Sequence, residues 1–64
     1  MIRVYCYKTA SAVELAEKLK ELNVEFETLS LNELLIDDED YENNKELIDK
    51  YATDVRPYVL FLVF

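Results

Sequence analysis

Tyr58-Val59-Leu60-Phe61-Leu62-Val63-Phe64 forms an unbroken apolar and aromatic run. A run of this length, rich in Val and aromatics, reads as a strand buried on both faces. Such a strand needs hydrogen-bonding neighbours at its edges and packing on its faces. No residue follows Phe64 in the sequence, so one sheet edge and one sheet face are expected to be completed by another chain. That chain would be a second copy or a different protein. Leu60, Phe61, Leu62 and Phe64 are the contact candidates on this strand, because the same run in solvent would be an aggregation template.

Upstream, Met1 to Lys8 alternates β-branched and aromatic residues and predicts a first strand. Ile2, Val4 and Cys6 share one face of it, and Arg3, Tyr5 and Tyr7 the other. Ser11 followed three residues later by Glu14 has the form of a capping box. Beyond it Ala12, Leu15, Ala16, Leu19 and Leu22 make one apolar helical stripe. Asn23 stands where the helix should end, and Asn tolerates the left-handed backbone when Gly is absent. Val24 to Leu31 alternates apolar with polar residues, as a half-buried strand near a sheet edge does. Asn32 to Leu35 is read as one short turn. Asp37, Asp38, Glu39, Asp40 and Glu42 then place five carboxylates in six positions. They precede a second helix over Tyr41–Ala52 and favour its positive N-terminal end. Thr53 to Arg56 connects to Pro57 and the last strand. The expected order is β-α-β-α-β, a small α/β layer whose helix-linked strands run parallel.

Composition narrows the chemistry. The chain has 64 residues, one small domain, with 52% hydrophobic residues and a net charge of −7. That charge makes nucleic acid and anionic membranes poor partners. One Cys excludes an intrachain disulfide and suits a reducing, cytoplasmic setting. There is no Gly for a phosphate-cradling loop and no His for general-base or metal chemistry. No cofactor, no metal and no catalytic residue is therefore expected. Cys6 reads as a small buried hydrophobe.

Several stretches, taken in order, resemble glutaredoxins and the wider thioredoxin-like fold. They are Arg3-Val4-Tyr5, Ala16 with Leu19, Leu22-Asn23-Val24-Glu25-Phe26-Glu27, Asn44-Lys45-Glu46-Leu47-Ile48, and Val55-Arg56-Pro57-Tyr58-Val59-Leu60-Phe61. The resemblance implies a thioredoxin-like sheet that lacks the last strand and helix of that family. It also implies a cis peptide before Pro57, although X-Pro bonds in folded proteins are cis only about 5–6% of the time. The family's thiols stand at the start of the first helix, where the dipole lowers their pKa. Aligned on Ala16, those positions are Ala10 and Val13; aligned on the helix cap, they are Ser11 and Glu14. Neither alignment supplies a thiol, so a dithiol oxidoreductase is not expected.

Tyr7, Arg56 and Tyr58 are interface candidates by residue type. Asp38, Glu39 and Asp40 are candidates for an acidic contact with a basic partner, or else a solvated helix start. The leading expectation is a non-catalytic interaction module acting through its C-terminal strand edge, as a homodimer or on a protein partner. Small size and acidity suit the regulators or inhibitors that phages direct at host proteins. Two other readings are a degenerate thiol or transferase enzyme using Cys6 or Ser11, and an acidic DNA mimic.

Overall fold

The computed structural model describes residues 1–58, so the expected contacts Leu60, Phe61, Leu62 and Phe64 lie outside the described residues. Strand β1 (Ile2–Tyr5) leads into helix α1 (Thr9–Glu21). Strands β2 (Phe26–Ser30) and β3 (Glu33–Ile36) follow as a hairpin. Helices α2 (Asp38–Asn43) and α3 (Lys45–Tyr51) then lead to strand β4 (Asp54–Pro57). The sheet order is β2-β3-β1-β4, and every neighbouring pair is antiparallel.

The expected α/β layer is present, but with an additional strand. Glu33–Ile36 is not a turn but β3, inserted between β1 and β2. Both flank β3 antiparallel, so the strands joined by α1 do point the same way without touching. β4 pairs antiparallel with β1, so it runs against β2 rather than with it. The chain thus makes two interlocked split β-α-β units, the topology of ferredoxin-like plaits. The cause is the apolar run Leu34-Leu35-Ile36, all buried and occupying an inner position of the sheet. The hairpin is closed by Leu31 and Asn32, and a bulge at Leu29 shifts its register between Thr28 and Ser30.

Side-chain alternation separates the two faces. Val4, Leu34 and Ile36 pack with Cys6, Ala12, Leu15, Leu19, Tyr41 and Ile48 into one core beneath the helices. This confirms Val4 and Cys6 on the inner face of β1, with Ile2 packed against them. Ala12, Leu15 and Leu19 hold the predicted stripe, whereas Leu22 lies outside it and is 54% exposed. Asn23 ends the helix at φ 59°, as expected, while the amide of Val24 donates to the Leu19 carbonyl at 2.9 Å.

Helix starts differ from expectation. α1 begins at Thr9 after an extended Lys8, and no side chain caps it, so Ser11 and Glu14 do not form a capping box. Instead the Lys8 carbonyl accepts from the amides of Ser11 and Ala12, at 3.1 and 3.2 Å. The Thr9 hydroxyl, which a helix start would otherwise use, donates to Asn32 Oδ1 at 2.7 Å. The second helix starts earlier than Tyr41 and is broken in two. At Asn44 the backbone leaves helical geometry (φ −125°, ψ 23°), and Asn44 Nδ2 donates to the Asp40 carbonyl at 2.9 Å. That side chain competes with the main chain for a helical acceptor, which is how Asn interrupts helices. The last strand also begins earlier, at Asp54 rather than Tyr58, and no described peptide bond is cis, so Arg56–Pro57 is trans.

Candidate functional site

All described core residues except Leu35 lie in the cluster that includes the helices. The opposite sheet face has no helix over it among the described residues. From the register, one row across that face reads Glu27, Leu35, Arg3, Arg56, and the next reads Ser30, Glu33, Tyr5, Asp54. Leu35 is only 7% exposed despite this position, flanked in the sheet by Glu27 and Arg3.

The two arginines of the chain are thereby set side by side, Arg3 opposite Arg56. Like charges directly opposite on neighbouring strands repel. Each is met by a carboxylate: Arg3 Nε donates to Glu33 Oε2 at 2.6 Å, and Arg56 Nε lies 2.8 Å from Asp54 Oδ2. Arg3, Tyr5, Asp54 and Arg56 line a shallow depression of about 300 Å³. The face therefore carries both arginines with carboxylates beside them, unlike the net acidity of the chain as a whole.

Among the described residues β4 is the outer strand on this side. The Tyr58 amide donates to the Met1 carbonyl at 2.9 Å, and the Cys6 amide donates to the Asn32 carbonyl at 2.8 Å. Main-chain groups alternate in direction along an antiparallel ladder. Arg3 and Tyr5 hence bond towards Arg56 and Asp54, while the amide and carbonyl of Val55 point away from β1. The nitrogen of Pro57 also points away, which is why a proline is accepted there without loss of a ladder bond. The free edge offers one full donor–acceptor pair, at Val55, and one further acceptor, at Pro57.

Of the sequence-predicted contacts, Arg56 and Tyr58 fall on this strand and its continuation, both exposed. Tyr7 is 73% exposed at the opposite end of the ladder, where its amide donates to Thr53 Oγ1 at 3.0 Å. Roughly 17 Å of strand separates the two ends, so Tyr7 and Tyr58 do not form one cluster. Asp38, Glu39 and Asp40 make up the first turn of α2, and Asp38 Oδ1 lies 2.7 Å from the amino group of Met1. The acidic turn is thus brought to the Tyr58 end of β4 through Met1. Sequence reasoning missed Val55 and Asp54, whose importance depends on which way the backbone faces. It also missed Tyr5 and Arg3 as members of the open face beside them.

The sole thiol is fully buried, and desolvation pushes the Cys6 pKa up. An activated nucleophile needs the reverse. Among the described residues no three His, Cys, Asp or Glu side chains converge as metal ligands. No described helix is long and apolar enough to cross a membrane. Comparison with protein-family models, with curated proteins and with solved structures gives no match.

Proposed function

We propose that this chain is a non-catalytic protein-interaction module that associates through the β4 edge, with a protein partner or with a second copy. The observation that carries the reading is the outward-facing Val55 amide and carbonyl on an outer strand, leading directly into the apolar residues Val59–Phe64. Strand addition uses just such an edge: main-chain bonds supply attachment, and side chains on the adjoining face supply selectivity. The exposed Arg56 and Tyr58 are of the residue types that dominate binding energy at interfaces. A regulator or inhibitor of a host protein, of the kind phages make, would act by occupying a partner's strand edge in this way.

The resemblance to glutaredoxins enters through what the first helix carries. The resemblance sets Ala10 and Val13, or Ser11 and Glu14, where that family places its thiols, and none of these is a cysteine. The buried Cys6 is not in a position to replace it.

The test is Val55→Pro in the full chain. Pro57 already shows that an outward-facing nitrogen on β4 can lack its hydrogen, so the ladder to β1 should survive. Far-ultraviolet circular dichroism is expected to be unchanged. Light scattering should show the wild-type chain above the single-chain mass of 7.6 kDa, alone or with its partner, and the variant at that mass. A folded Val55→Pro protein that associates as well as wild type would overturn the proposal.

A further inference from the structure

We infer that β4 pairs with the β4 of a second copy of this chain, antiparallel, with Val55 on the two-fold axis. This rests on the reading of β4 as the association edge, and it names the occupant and the register.

Symmetry and backbone direction leave few registers. Outward groups must meet outward groups, so Val55 can oppose Val55, Thr53 or Pro57 of the second copy. Opposite Val55 it makes two reciprocal N–H···O=C bonds across the axis. Opposite Pro57 or Thr53 each contact loses one bond, because proline has no amide hydrogen and the Thr53 amide already donates to the Tyr5 carbonyl at 2.8 Å, but the axis makes that contact twice. All three registers therefore keep two bonds from the Val55 amides, and the backbone alone does not choose among them.

Charge selects the register. With Val55 on the axis, Asp54 stands opposite Arg56 of the second copy, and Arg56 opposite its Asp54. These are non-hydrogen-bonded pairs, the kind in which side chains come closest. Within one chain Arg56 Nε already lies 2.8 Å from Asp54 Oδ2 on the open face. Two copies would therefore assemble a square of four alternating charges in which every Arg touches two Asp. The other two registers place Asp54 against Asp54 or Arg56 against Arg56. Both side chains are available, at 74% and 47% exposure for Arg56 and Asp54. The product is a continuous eight-stranded antiparallel sheet with both open faces on one side.

Charge reversal with rescue tests this, read by sedimentation equilibrium over a wide range of concentration. The wild-type chain is expected to show a monomer–dimer equilibrium. Arg56→Asp places four carboxylates around the axis and should raise the dissociation constant about tenfold or more. The double variant Asp54→Arg/Arg56→Asp restores alternation and should return it to within about threefold of wild type. An equal loss in the single and double variants, with circular dichroism unchanged, would overturn the register. A wild-type chain that stays monomeric at every concentration would overturn self-pairing, yet leaves the interaction module standing if Val55→Pro still abolishes binding to a foreign protein.

Discussion

At the residue scale, Cys6 and Tyr41 show how burial sets chemistry in a core this small. Cys6 has neither exposure nor a cation to stabilise a thiolate. Tyr41 is buried, and its hydroxyl donates to Asp49 Oδ1 at 2.9 Å and ties α2 to α3. Desolvation raises the Tyr41 pKa first, and the hydrogen bond to Asp49 and the charges of Asp49 and Glu42 raise it further. Both shifts are upward, so the folded state holds these protons more tightly than the unfolded chain. Their stabilising contribution is complete below the ordinary values of 9.0 and 10.0, and is lost as pH rises through the folded-state values. Urea unfolding should accordingly give a lower midpoint at about pH 10.5 than at neutrality. Tyr41→Phe should cost about 1 kcal/mol at neutral pH and shrink the alkaline drop. An alkaline drop of undiminished size in that variant would assign the effect elsewhere.

At the element scale, periodicity carried the reading where side chains decide the outcome. The stripe of α1, the inner face of β1 and the Asn23 helix end were all legible, because each depends on local residue types. Asn23 at φ 59° makes a direct test. Asn23→Ala should lower stability by about 1 kcal/mol, since Cβ crowding opposes the left-handed backbone. Asn23→Gly should match or exceed wild type, and equal losses for both would contradict the assignment. The hairpin between β2 and β3 was not legible. Two-residue hairpins announce themselves through Asn-Gly or similar pairs, and this chain has no Gly. Here Leu31 and Asn32 close the turn with help from afar, as Asn32 Nδ2 donates to the Tyr7 carbonyl at 3.1 Å and Asn32 Oδ1 accepts from Thr9. Those partners lie more than twenty residues away in sequence, beyond the reach of a local pattern. The same contacts took Thr9 into the start of α1 and displaced the capping box.

At the scale of the whole molecule, the missed strand changes what the edge is. The expected three-strand sheet put its open edge and open face on Tyr58–Phe64, which beyond Tyr58 lie outside the described residues. Among the described residues the four-strand sheet places Asp54–Pro57 at the margin, and the association we propose there is a matter of backbone direction and charge register. Charged residues and proline normally blunt an edge against pairing. On β4 the pairing we propose instead uses them, the Asp54–Arg56 alternation favouring one register over the others. Of the edge proposed here, the sequence reading names Arg56 and Tyr58 by residue type alone. Which main-chain groups face outward could be known only once β1 was seen to bond to both β3 and β4.

The amide of Val55 is the most direct probe of this account. Its hydrogen exchange, followed by two-dimensional NMR on the full chain, should be fast in dilute protein and slow progressively as concentration rises. Over the same range the amides of Thr53 and Tyr58, which donate to the Tyr5 and Met1 carbonyls, should change far less. A Val55 amide that exchanges at an unprotected rate at every concentration would contradict pairing through the β4 edge.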